Sequence, residues 1–121
     1  MPPSVLVVDD DATFRALASR VLAGSGFEVI GEAGSVEEAL ARADELRPDA
    51  ALVDIGLPDG DGFGLARQLS SLAWPLRVVL ISTDAGATSE RALRCSGASG
   101  FLAKHQLSGR ALRRLLGEDG P

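Results

Sequence analysis

In 121 residues the chain has only one lysine, one histidine and one cysteine. A lone Cys95 cannot form an internal disulfide, which fits a reducing, cytoplasmic compartment. One His and one Cys are too few to ligate zinc. Positive charge is also scarce: 12 Lys and Arg against 17 Asp and Glu leave a net charge of −5. A domain this acidic lacks the electrostatic footprint of a direct nucleic-acid binder, and an anionic membrane surface suits it no better. No apolar run approaches the roughly 20 residues of a membrane span. Met1-Pro2-Pro3-Ser4 has neither the basic nor the apolar segment of a signal peptide. Nucleotide-cradling loops, G-x-x-x-x-G-K-[ST] or G-x-G-x-x-G after a strand, are absent.

What is present is an alternation of short β-branched runs and longer helical patterns. Hydrophobic residues make up 45% of the chain, enough for one self-sufficient core. Strands are expected at Ser4–Val8, Phe27–Gly31, Ala50–Asp54, Arg77–Ser82 and Gly100–Ala103. A helix over 12–24 would bury Phe14, Leu17, Ala18, Val21 and Leu22. A second, opened by the capping box Ser35…Glu38, would bury Val36, Ala39, Leu40 and Ala43 and end at Pro48. Leu65, Ala66 and Leu69 mark a third helix, closed near Trp74-Pro75. Residues 88–96 form the weakest, with only Ala92 and Leu93 clearly apolar. Leu107, Ala111, Leu112 and Leu115 share a face of the fifth. The tail from Gly117 is expected to fray. Five β-α units without a linker or repeat imply a parallel sheet covered on both faces.

In such a sheet, ligands bind beyond the carboxyl ends of the strands. Strand one ends in Asp9-Asp10-Asp11, strand three in Asp54, strand four in Ser82-Thr83 and strand five in Lys104. Asp11 has a simpler role as N-cap of the first helix, and His105 has a plain loop role. For the rest, chemistry explains the convergence better than chance. Clustered carboxylates with open access suit a hard cation such as Mg2+. A carboxylate beside the metal can act as a nucleophile toward phosphorus and become an acyl phosphate. Ser82 and Lys104, the one compact ammonium among eleven arginines, would hold phosphoryl oxygens.

Leu6-Val7-Val8-Asp9-Asp10-Asp11, Val53-Asp54-Ile55-Gly56-Leu57-Pro58-Asp59-Gly60-Asp61-Gly62, Val79-Leu80-Ile81-Ser82-Thr83 and Gly97 to Lys104 resemble the signature segments of response-regulator receiver domains. Val29-Ile30-Gly31-Glu32-Ala33 and Leu57 to Gly62 are most similar to the NarL/FixJ-type receivers. The resemblance implies a CheY-like, flavodoxin-like (βα)5 three-layer α/β sandwich with strand order 2-1-3-4-5. It implies that Asp54 accepts a phosphoryl group from a sensor histidine kinase or a small phosphodonor. Mg2+ would be held by Asp9, Asp10, Asp54 and the Gly56 carbonyl, with Ser82 and Lys104 on the phosphoryl group and Phe101 as switch aromatic. No enzymatic activity beyond self-catalysed phosphorylation and dephosphorylation is implied. Two positions depart from the pattern: His105 follows Lys104 where most receivers have Pro, and Thr83 stands where they have Ala, Gly or Ser.

The span 1–121 is thus expected to be one receiver domain without an output domain. Phosphorylation is expected to remodel the surface of helix four, strand five and helix five, where a partner or a second copy would dock. The rival reading is a HAD-type phosphohydrolase using Asp9 and Asp11, since Asp9-Asp10-Asp11-Ala12-Thr13 fits D-x-D-x-T. It leaves Asp54 idle and finds an acidic pair after the Lys only at Glu118 and Asp119. A receiver-like module that never takes phosphate is the third reading, against which the complete acid–Ser–Lys set stands.

Overall fold

The structure, a computed structural model, describes residues 2–83 and 90–116. Its main sheet has five parallel strands, β1 (Ser4–Val8), β2 (Glu28–Ala33), β3 (Ala50–Asp54), β6 (Arg77–Ser82) and β7 (Gly100–Ala103), in the order β2-β1-β3-β6-β7. This is the 2-1-3-4-5 order of a flavodoxin-like fold, once β4 (Gly56–Leu57) and β5 (Gly60–Asp61) are set aside as a small antiparallel pair. Successive side chains of a strand point to opposite faces, and the core divides accordingly. Val5, Val7, Leu52, Val79 and Ile81 face α1 (Ala12–Gly24) and α5 (Gly109–Leu116). Leu6, Val8, Val53, Val78 and Leu80 face α2 (Val36–Leu46) and α3 (Gly62–Ser70), with Leu93 of α4 (Glu90–Ser96) packed on the same cluster.

Local chemistry sets the helix boundaries. Asp11 caps α1, its side chain accepting from Thr13 N and Phe14 N. Ser35 caps α2 through Glu38 N, but the Glu38 side chain accepts from Gly34 N, one residue before the box would have it. Asp59 adds a second cap, accepting from Val36 N at 2.7 Å and Glu37 N at 3.1 Å. α2 ends at Leu46 rather than at Pro48, because Arg47 turns the chain in the left-handed region at φ 49°. Its guanidinium lies 5.0 Å from the Trp74 ring centroid.

Several positions differ from the pattern-based expectation. Leu17 is 45% exposed, since only Phe14, Ala18 and Leu22 of α1 reach the sheet fully. β2 begins after Phe27 and runs on to Ala33, where Asp9 N donates to the Ala33 carbonyl. Leu107 precedes α5 but packs, with Ala111 and Leu115, on the cluster in which Leu112 is buried as expected and Leu116 is buried beside it. In α4 the fully buried side chain is polar: Ser96 Oγ donates to the Leu93 carbonyl and accepts from Ala98 N. The first residues of that expected helix, 88–89, and the tail from 117 lie outside the described residues.

Gly62, the first residue of α3, lets that helix start against the back of Asp54. A Cβ there would lie 2.6 Å from Ile55 Cα and closer still to the Asp54 carbonyl oxygen. Backbone atoms cannot swing aside as a flexible side chain can. Gly62→Ala is therefore expected to lower stability by about 2 kcal/mol or more. Gly24→Ala, in the last turn of α1 with nothing within 4 Å, should raise it by roughly 0.5 kcal/mol. Urea unfolding of both variants checks this; a near-neutral Gly62→Ala would mean α3 can withdraw from Asp54 freely.

Candidate functional site

The carboxyl edge of the sheet collects the expected residues. β1 passes from buried Val8 to Asp9, which is wholly buried, and then to exposed Asp10 and Asp11. On the adjacent strand, β3 ends on Asp54, 8% exposed, and one strand further on β6 ends on Ser82, 5% exposed. Register carries Lys104 to the same place: Ser82 pairs with Ala103, and Lys104 opens the 3-10 turn Lys104–Gln106 just beyond. One carboxylate oxygen each from Asp9, Asp10 and Asp54 lie within 4.8 Å of one another.

Lys104 ties the acids together. Its Nζ sits 2.6 Å from Asp9 Oδ2 and 3.7 Å from Asp54 Oδ2. Asp9 Oδ1 accepts from Asp11 N at 2.9 Å. Asp9 Oδ2 is sealed from solvent and accepts no well-aligned hydrogen bond, so it meets Lys104 by charge at close range rather than through an aligned N–H. Asp54 Oδ1 accepts from Gly56 N at 3.3 Å. This donor set fits a hard divalent cation: three converging carboxylates, one with a buried, under-bonded oxygen, and no soft ligand among them.

Some contacts had no signal in the sequence. The Phe14 ring centroid lies 4.4 Å from Lys104 Nζ, although helical spacing marks Phe14 only as a core residue. Arg15 donates to the Asp9 carbonyl and, at 3.0 Å, to Glu32, pinning the ends of β1 and β2 together. Gln106 Oε1 accepts from Ala103 N, closing the turn in which His105 is exposed. Thr83 is exposed beside Ser82. Phe101 is half-buried against the cluster formed by α2, α3 and the sheet.

Burial raises the Asp54 carboxyl above the ordinary range, and the charge of Asp9 adds to the push; Gly56 N and Lys104 oppose it, and Asp10 contributes a smaller upward share. A carboxyl whose folded pKa lies above its unfolded value adds stability that is complete below that unfolded value, near 3.8. That stability is lost as pH rises through the folded value, so ionised Asp54 works against the fold at neutral pH. In metal-free buffer at neutral pH, Asp54→Asn should stabilise the protein by about 1 kcal/mol, with the gain shrinking toward acid pH. Asp10→Asn should gain less. Thermal melts in a chelator across pH test the ordering; a neutral-pH wild type more stable than Asp54→Asn would contradict it.

The chain matches the response regulator receiver domain over residues 5–116. It is 38% identical over 118 residues to the DNA-binding transcriptional activator DevR/DosR of Mycobacterium tuberculosis, covering 95% of this chain and 52% of that protein. It is 36% identical over 102 residues to the transcription regulator BvgA of Bordetella pertussis, covering 84% and 49%. The chain thus spans about half the length of these relatives. Among solved structures, the signal receiver domain of NarL from Mycobacterium tuberculosis is similar with a TM-score of 0.79 and 31% identity, covering 97% of this chain and 98% of that one. Nothing supports the HAD-type phosphohydrolase: Asp11 is spent on capping α1 and Asp9 is buried under Lys104. The chain belongs to the receiver domains of two-component response regulators.

Proposed function

We propose that this domain, residues 1–121, receives a phosphoryl group on Asp54 from a sensor histidine kinase or a small phosphodonor. The observation that carries the reading is the convergence of Asp9, Asp10 and Asp54 with Lys104 bridging two of them. A carboxylate oxygen of Asp54 attacks phosphorus in line with the donor. The bond from phosphorus to the donor's nitrogen or oxygen breaks, its electron pair leaves with the donor, and an acyl phosphate remains. Lys104 and Ser82 hold two of the phosphoryl oxygens, the one by charge and the other by its hydroxyl. Asp9, Asp10, Asp54 and the Gly56 carbonyl would hold Mg2+. When bound, Mg2+ supplies divalent charge that offsets the carboxylates and the oxygens of the transferring group. The domain promotes only its own phosphorylation and dephosphorylation. Exposed Thr83 narrows the approach to Asp54 and so tunes the rates of both.

The output follows from two residues on adjacent strands. When Ser82 engages the phosphoryl group, space opens beneath α4, and Phe101, paired across the ladder with Leu80, moves inward to fill it. Phe101 also lines a groove of about 300 Å³ with Gln106, Arg110 and Arg114. Its movement therefore reshapes the surface of α4, β7 and α5, where a partner or a second copy docks on phosphorylation. The change is a shift in populations already present without phosphate. The named relatives support a downstream role in transcription, carried by another domain, with this domain making no direct contact with nucleic acid. Among the described residues no helix is long and apolar enough to cross a membrane, in keeping with work in the cytoplasm.

Incubation with acetyl phosphate and Mg2+ should add one phosphoryl mass to the wild type, none to Asp54→Asn, and the same mass more slowly to Lys104→Ala. Full labelling of Asp54→Asn would overturn the assignment. Beryllofluoride with Mg2+ should shift backbone NMR signals across residues 90–116 in the wild type but only near Asp54 in Ser82→Ala. Shifts confined to the neighbourhood of Asp54 in both proteins would sink the switch.

A further inference from the structure

We propose that Phe14 is a positioning residue for Lys104: its ring face seats the ammonium so that the lysine N–H donors stay aimed at the oxygens around Asp54. The inference rests on Asp54 being the phosphoacceptor and adds the part that fixes its cationic partner.

A lysine ammonium is a compact, strongly hydrated charge on a flexible four-carbon stem. Here the side chain is only 14% exposed, so most of its water is gone and its rotamers must be restrained. Asp9 Oδ2 compensates one side at 2.6 Å, and Asp54 Oδ2 lies at 3.7 Å. The Phe14 centroid, 4.4 Å away, is well inside the range at which a ring quadrupole attracts a cation. The ring has a further property no polar group offers. It stabilises positive charge without a lone pair that would draw N–H donors away from an arriving phosphoryl oxygen. A carboxylate in its place would hold the ammonium back, and an aliphatic side chain would leave that face of the ammonium uncompensated.

The seat is rigid and is built as one piece with the acid cluster. Phe14 is 8% exposed and belongs to the same packed cluster as Val7, Ile81 and Leu102. Its amide donates to Asp11 Oδ1, and the Asp11 amide donates to Asp9 Oδ1. The carboxylate that grips Lys104 and the ring that seats it are therefore three hydrogen-bonded residues and one helical turn apart, and cannot shift independently. Core packing accounts for the burial of Phe14. It does not account for an aromatic face, rather than a leucine, against the only lysine of the chain.

Three variants at position 14 separate seating from packing: Phe14→Leu, Phe14→Tyr and a trifluorinated phenylalanine that keeps the ring but weakens its negative face. In the metal-free wild type and in Phe14→Tyr, the ε-methylene protons of Lys104 should show an upfield ring-current shift that Phe14→Leu abolishes. With acetyl phosphate and Mg2+, Phe14→Leu should label Asp54 about tenfold more slowly, the trifluorinated protein at an intermediate rate, and Phe14→Tyr nearly as fast as wild type. Wild-type labelling by Phe14→Leu, or equal slowing in all three variants, would overturn the proposal. A wild type that takes no phosphoryl group on Asp54 would instead defeat the phosphoacceptor reading, and the ring-current shift would still report whether Lys104 sits on the ring.

Discussion

Three carboxylates converge where a buried sheet ends, and a single ammonium stands among them. Like charges this close repel strongly in a partly desolvated setting, and Lys104 reaches two of the acids at once. The remaining imbalance falls on Asp54, whose carboxyl burial and Asp9 push upward. A site built this way is poised for positive charge from outside and, on the function proposed, for a phosphoryl group after it. The same imbalance makes the site a cost to the fold in the metal-free state, as functional sites commonly are.

The rest of the architecture keeps that edge level. Parallel pairing sets Val8 against Val53 and Asp54 against Ile81, so β1, β3 and β6 reach the edge together. β7 arrives through the pairing of Ser82 with Ala103. Helix caps then lock the loops: Asp11 opens α1 behind Asp9, Asp61 opens α3 behind Asp54, and Asp59 reaches across to α2. Several acids near the site are thus occupied with backbone amides. Asp9 and Asp54 each accept one backbone amide as well but keep a second oxygen, and among the described residues they and Asp10 form the cluster that faces a cation.

Much of this could be read from residue order alone. The β-branched runs mark all five strands of the main sheet, and the ends of those runs alone place Asp9, Asp10, Asp54, Ser82 and Lys104 at one edge. What the pattern missed has physical causes. Leu17 fits the helical period yet is exposed, because α1 meets the sheet over a narrower stripe than the period allows. The antiparallel pair within 55–62 depends on backbone pairing that a Gly- and Pro-rich run does not advertise. Ser96 is buried through two local hydrogen bonds that no hydropathy pattern encodes. The contact of Phe14 with Lys104 joins residues far apart in sequence, and only the assembled fold brings them together.

The central claim is that the carboxylate of Asp54, and no other, becomes the acyl phosphate. Borohydride cleaves an acyl phosphate and leaves homoserine in place of the aspartate, so peptide mass mapping after reaction with acetyl phosphate and Mg2+ identifies the acceptor directly. The account predicts homoserine at position 54 and unmodified Asp9, Asp10 and Asp11. Homoserine at position 9, with Asp54 untouched, would contradict it.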